Sequence, residues 1–104
     1  MLKIKLFCAA GISTAIVVRS LREAVEKQGL DASIESGSIT GIEHETRQSV
    51  DVALLGPQIG YELDHAREVL GPKGIKVGLI PMTDYGLVRG EAILELATGL
   101  AHSG

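Results

Sequence analysis

The amino-acid sequence predicts an α/β domain, a four-stranded parallel sheet flanked by helices. Two observations carry that prediction. Short apolar runs that suit strands alternate along the chain with longer segments whose apolar residues fall at helical spacing, the order that builds a parallel sheet from crossover units. Glycine and proline fall between these segments, where turns belong. A length of 104 residues fits one domain, 1–104, large enough to hold a hydrophobic core without disulfide or metal staples.

Each element can be justified in turn. Residues 2–7, LKIKLF, alternate and then become fully apolar, as a strand entering a core does. Residues 14–28 place Ile16, Val17, Leu21, Ala24 and Val25 at helical spacing, with Ser13 or Thr14 as the N-cap and Gly29 as the stop. Residues 31–36 read as a short strand and residues 39–48 as a weaker, mostly polar helix. DVALLG, 51–56, is a buried-strand pattern, and YELDHAREVLG, 61–71, follows PQIG as a helix. GIKVGLIP, 74–81, is another apolar strand. A last helix over 87–101 carries Leu87, Val88, Ile93, Leu94, Leu96 and Ala97 on its apolar faces. With right-handed crossovers the expected strand order is 2-1-3-4, which is flavodoxin-like and Rossmann-like.

Composition narrows the function. With 45% hydrophobic and 22% charged residues the chain has the profile of a folded soluble protein. A formal charge of −3 without a visible basic patch points away from nucleic acid as a partner. A single cysteine, Cys8, excludes an internal disulfide, and His44, His65 and His102 are scattered without ligand spacing, so no metal site is expected. No stretch reaches the roughly 20 apolar residues that span a bilayer. The start, MLKIKLFCAAGIS, runs into a helix pattern instead of a cleavage site, so it reads as a first strand and the protein as cytoplasmic.

In such folds the site lies at the carboxyl ends of the strands, near the switch in strand order. Loops 8–13, 56–60 and 81–86 meet there, and Cys8 heads the first. It is followed by Ala9, Ala10, Gly11, Ile12, Ser13 and Thr14. Small residues let backbone N–H groups converge on an anion, the helix behind adds its positive end, and Ser13 and Thr14 add hydroxyls. The same surroundings favour a thiolate. Such a loop can carry a phosphoryl group on sulfur and cradle it. Cysteine phosphatases place an arginine six residues after the nucleophile to stabilise transition-state charge. Here that position is Thr14, so phosphate is held and not quickly hydrolysed.

The stretch LFCAAGISTAIVVRSLREAVEKQGLD closely resembles the start of the enzyme IIB components of the sugar phosphotransferase system (PTS), lactose/cellobiose (chitobiose) type. DVALLGPQIGYEL and VGLIPMTDYGLVRGEAILELA resemble the third strand with its loop and the final strand, loop and helix of that family. The resemblance covers essentially the whole chain. It implies a free-standing B component, phosphorylated on Cys8 by the phosphohistidine of a IIA protein, with Ala9 to Thr14 binding the phosphate. The phosphoryl group then passes to a disaccharide or other sugar bound in the membrane transporter IIC, on which the protein docks peripherally. No cofactor is implied. The loop residue often methionine in this family is Ile12 here. The fold also resembles that of low-molecular-weight tyrosine phosphatases, so a cysteine-dependent phosphatase of that kind is the alternative. A third reading is a binding module in which Cys8 is merely packed.

Gln58, after Gly56 and Pro57, either lies on the rim of the phosphate site or belongs to an ordinary turn with proline at a helix start. Met82 and Tyr85 are placed with Gln58 and Ile12 on a rim that partners cover. Asp84 is read as a turn or capping residue. Arg19, Arg22 and Glu26 are read as a solvated helix face, and His65 as solvent-facing.

Overall fold

The computed structural model describes residues 1–9 and 14–103. Four parallel strands, β1 (Leu2–Cys8), β2 (Ala32–Ser38), β3 (Val52–Leu55) and β4 (Lys76–Leu79), form one sheet in the order β2-β1-β3-β4. The helices are α1 (Thr14–Gln28), α2 (Leu63–Leu70), the short α3 (Met82–Gly86) and α4 (Gly90–His102). The expected class and strand order are both present.

Strand alternation sorts the core into two layers. Ile4 and Leu6 of β1 and Val52 and Leu54 of β3 pack with Leu21 of α1 and Ile93 of α4. Phe7, Ala53 and Leu55 face the other way, against Ile59, Ala66 and Leu70. Burying each large side chain of this kind contributes about 1.5–3 kcal/mol. On α1 the buried positions Thr14, Val17, Val18, Leu21, Ala24 and Val25 form the single stripe that a 3.6-residue period demands. Gly29, at φ +64°, ends the helix in the left-handed conformation that glycine adopts without steric cost.

Three elements differ from the expectation. The segment 39–48 is not an α-helix. It forms a 3₁₀ helix over Ile39–His44 and then turns. Its two buried apolar residues, Ile39 and Ile42, are three apart, a spacing that eclipses in a 3₁₀ helix, and Thr40 and Gly41 have low α-helix propensity. Beyond it Glu45 turns inward to pair with Lys5 (Nζ–Oε2, 2.6 Å), while Lys73 Nζ donates to the Glu43 and Glu45 carbonyls. Pro57 opens a 3₁₀ helix, Pro57–Glu62, so α2 starts two residues later than expected, at Leu63. The helix expected over 87–101 is broken at its start. Val88 sits at φ +54°, a left-handed value costly for a β-branched residue, and separates α3 from α4. Leu87 is accordingly exposed and not part of the core.

The break is held by α1. Ser20 Oγ donates to the Val88 carbonyl (3.0 Å) and accepts from the Gly90 N–H (3.0 Å). A Cβ on Gly90 would collide with the Ser20 carbonyl oxygen, so only glycine lets the start of α4 press this closely on α1. Arg22, read as solvated, instead sends two N–H groups to the Ile34 carbonyl of the edge strand β2 (3.1 and 2.8 Å). That covers an acceptor on an edge otherwise open to pairing.

Gly90→Ala is therefore expected to destabilise the protein by about 1–3 kcal/mol, because backbone must move to make room. Gly99→Ala, in the same helix with no atom within 4 Å of the new Cβ, should be neutral or stabilise by up to about 1 kcal/mol. Denaturant midpoints of the two variants measure the contrast.

Candidate active site at the carboxyl ends of the strands

The chain leaves β1 for β2 on one side, and β3 pairs on the other, so the ends of β1 and β3 flank the switch in strand order. Cys8, the last residue of β1, occupies that position. Alternation puts it on the Leu6 side of the sheet, the side covered by α1 and α4. It is 8% exposed, and its Sγ lies 4.0 Å from the Gly37 carbonyl oxygen, a weak thiol contact across to β2. Ala9 follows, exposed. Ala10, Gly11, Ile12 and Ser13 lie outside the described residues, and with them most of the expected phosphate loop and the N-cap assigned to Ser13. Thr14 is the first residue of α1 and is buried, at 2% exposure.

The second loop is tied to the first at this end. Gly56 donates its N–H to the Phe7 carbonyl (3.0 Å), extending the β1–β3 pairing to the residue before Cys8. A Cβ at Gly56 would meet Gln58 Oε1 at 3.0 Å, Tyr85 Cε2 at 3.6 Å and the Phe7 oxygen at 3.7 Å. Gly56 is thus the point where the second and third loops meet the end of β1. Pro57 begins the turn as a helix-start proline does, and Gln58 stands exposed beside it. From the third loop the Ile80 N–H bonds the Leu55 carbonyl, and Met82, 74% exposed, follows Pro81 at the surface.

Tyr85 departs from its expected place. Its ring belongs to the core layer of Leu6 and Ile80, and the residue is only 8% exposed. The α3 turn, closed by the Tyr85 N–H to the Pro81 carbonyl, aims position 85 inward. Tyr85 therefore lies beneath the surface at this end of the sheet, while Gln58 and Met82 stand exposed on it. Asp84, read as a turn or capping residue, instead lies within α3, where its carboxylate pairs with Arg89 (3.7 Å) and its carbonyl accepts the Arg89 N–H. His65 is exposed on α2, away from the converging loops.

Sequence reasoning missed part of the surface. Ile16, Tyr61, Leu79 and Leu87 are large apolar residues that stay exposed, as Met82 does. They sit in the first turn of α1, in the 3₁₀ helix after β3, at the last position of β4 and just after α3. The available signal was an apolar residue out of phase with its element: Ile16 lies off the buried stripe of α1, and Leu87 precedes the break at Val88. Among the described residues no three His, Cys, Asp or Glu side chains are grouped as a metal would require, and no helix is long and apolar enough to cross a membrane.

Fold and site together define a doubly wound α/β domain with a nucleophilic residue type at its topological switch point. Residues 3–96 match the family model of the PTS system, lactose/cellobiose-specific IIB subunit, and the chain belongs to this family, whose members serve sugar phosphotransfer and sugar transport with IIA and IIC partners. It is 33% identical over 101 residues to the PTS galactose-specific EIIB component of Lactococcus lactis subsp. cremoris (strain MG1363), with 93% of this chain and 94% of that protein covered. Identity is also 33%, with the same coverage, to the cellobiose-specific EIIB component of Lactococcus lactis subsp. lactis (strain IL1403). Among solved structures, the solution structure of the cellobiose-specific IIB component from Borrelia burgdorferi is 32% identical, covers 95% of this chain and 90% of its own, and superposes with a TM-score of 0.76. The lactose-specific IIB domain from Streptococcus pneumoniae, at 16% identity, shares the fold with a TM-score of 0.83 over 95% of this chain and 96% of that one.

Gly56→Ala should leave the melting temperature close to wild type, because φ at this position is −64° and the atom nearest the new methyl is the end of the flexible Gln58 side chain. The Gln58 carboxamide must move, and its NMR side-chain amide signals should shift while those of residues in the Ile4–Leu6 layer do not.

Proposed function

We propose that this chain, as a single IIB domain over residues 1–104, is a phosphocysteine carrier. Cys8 takes the phosphoryl group from a phosphohistidine of a IIA protein and gives it to a sugar held by IIC. The observation that supports this most is the place of the only cysteine at the carboxyl end of a central strand, at the switch in strand order. In the first transfer the S–P bond forms as the P–N bond of the phosphohistidine breaks. The bonding pair returns to the imidazole nitrogen, and the thiol proton leaves to the imidazole or to water. In the second, a sugar hydroxyl oxygen attacks the same phosphorus. The S–P bond breaks with its pair on sulfur, and the hydroxyl proton leaves to the IIC side or to solvent. The protein is thus a phosphotransferase of the protein-phosphocysteine–sugar class.

Residues Ala9 to Thr14 are assigned to holding the phosphoryl group through backbone N–H groups and the Ser13 and Thr14 hydroxyls, with the start of the 15-residue α1 adding its positive end. Thr14 in the position of a phosphatase arginine supports storage over hydrolysis. The galactose and cellobiose specificities in the relatives' names, and the oligo-β-mannoside specificity of a further relative from Bacillus subtilis (strain 168), support a cargo among such sugars. Work takes place at the cytoplasmic face, docked on IIC.

Two partners must reach one sulfur with near in-line geometry, so both cover the same crevice in turn. The rim residues Gln58 and Met82, joined by Ile16, Tyr61, Leu79 and Leu87, offer an apolar surface that excludes water during transfer. Ile12, assigned to the same rim, belongs to the phosphate loop.

The test of the carrier reading is incubation with phosphoenolpyruvate, the general PTS proteins and a IIA protein, followed by mass spectrometry. Phosphate should map to Cys8 and persist after the partners are removed. Cys8→Ser should fold with an unchanged melt and fail to support sugar phosphorylation. Phosphate on His65, or its rapid release from the purified phosphoprotein, would overturn the reading. A second expectation concerns docking: Met82→Glu, at a side chain that touches solvent, should keep the wild-type melt yet slow exchange with IIA by about tenfold or more, since the new charge must be desolvated and repels the phosphoryl group.

A further inference from the structure

The Tyr85 side chain combines two features that do not belong together in a purely structural residue. Its ring is buried in the layer of Leu6, Ile80 and Ile93, the volume a phenylalanine would fill equally well. Its hydroxyl makes no hydrogen bond with any described residue, yet no described buried polar side-chain atom lacks a partner, so the hydroxyl reaches the surface. The hydroxyl-bearing end of the ring lies beside Gly56, at the start of the second loop. Ring atom Cε2, bonded to the carbon that bears the hydroxyl, is 3.6 Å from the place of the missing Gly56 Cβ, itself 3.7 Å from the Phe7 carbonyl oxygen. Phe7 precedes Cys8, and Tyr85 belongs to the core layer on the side of the sheet to which strand alternation directs Cys8.

The backbone that carries Tyr85 is fixed with unusual thoroughness. The Val88 N–H bonds the Tyr85 carbonyl (3.1 Å), the Val88 carbonyl accepts from Ser20, and the Arg89 N–H bonds the Asp84 carbonyl (2.8 Å). Val88 keeps its left-handed conformation within this clamp. Ser20 lies on α1, the helix that follows the cysteine loop, so one helix sets the position of both Tyr85 and the end of that loop. A donor keyed in this way to the anion site is preorganised: it needs no reorientation when charge arrives.

We propose that the Tyr85 hydroxyl donates a hydrogen bond to an oxygen of the phosphoryl group on Cys8, a tetrahedral anion, and steadies it through transfer. This rests on the phosphocysteine reading given above. No proton is transferred: the tyrosine donates the bond and keeps its hydrogen, so the balance of each transfer step is unchanged. Gly56, lacking a side chain, leaves the path between the ring edge and the strand end open.

The test compares wild type with Tyr85→Phe, which keeps the ring and removes only the donor. Unphosphorylated, the two should melt at the same temperature, since the hydroxyl bonds nothing there. Once phosphorylated by a phospho-IIA protein, Tyr85→Phe should show a smaller phosphorylation-induced rise in melting temperature and a higher ³¹P titration midpoint for the S-phosphate. Its exchange with IIA should slow roughly tenfold or more, the usual cost of losing one charge-assisted hydrogen bond. If wild type carries phosphate on Cys8 while Tyr85→Phe matches it in titration midpoint and exchange rate, this proposal is overturned and the carrier reading stands. If wild type never carries phosphate on Cys8, both fall together.

Discussion

The pairing of β1 with β2 along one edge and with β3 along the other is the constraint on which the rest of the molecule depends. Parallel strands need crossovers, and when consecutive crossovers leave a central strand in opposite directions the connecting chain cannot cover that strand's carboxyl end. A crevice is left there by topology, before any side chain is chosen. Cys8 is the last paired residue of that strand, in register with Ser38 on β2, while its neighbour Phe7 is in register with Leu55 on β3. The Gly56 N–H to Phe7 carbonyl bond then extends the rigid part of the sheet to the base of the sulfur.

The fold was legible because its signals are carried by burial on a regular period. The strands 2–7, 51–56 and 74–81 and the helix 14–28 could be read from apolar spacing, and their order fixes the topology. Two of the departures involve structure decided by long-range polar contacts or by tight packing, which leaves no periodic trace. Glu45 leaves the expected helix 39–48 for Lys5, forty positions away. The break at Val88 is imposed by Ser20, 68 positions earlier, and by a close approach that Gly90 alone permits. A valine in the left-handed region follows no local rule, since intrinsic preference argues for extended or helical backbone there.

The candidate site was legible to a similar depth. A single cysteine at a strand end followed by small residues marks the location, and Gln58, Met82 and Tyr85 were drawn to it by topology alone. Which of them shows its side chain depends on the phase of a five-residue helix. In α3 the phase turns Met82 outward and Tyr85 inward, and a sequence reading that treats 81–86 as a loop has no phase to apply. Ile16 illustrates the converse. It fits the apolar spacing of α1 in outline, but it lies off the buried stripe, between Thr14 and Val17, at 62% exposure.

These placements separate two demands that a carrier makes of one small surface. Docking must be reversible and must serve two partners of different kind, which favours scattered apolar side chains of modest area over a tailored pocket. Chemistry needs donors that do not move, because each transfer passes through the same charge on the same phosphorus. The exposed residues answering the first demand, such as Tyr61, Met82 and Leu87, lie outside the strands, in a 3₁₀ helix, at the start of α3 and in the turn after it. Of the groups assigned to the second, Cys8 ends a strand, and the backbone that carries Tyr85 is held by the Ser20–Val88–Gly90 clamp. On the carrier reading, the strain at Val88 is then the cost of holding a short helix in the phase that sends Tyr85 under the crevice and leaves Met82 above it. Were that phase to relax, floor and rim would change together, which is why one clamp on α1 can govern both.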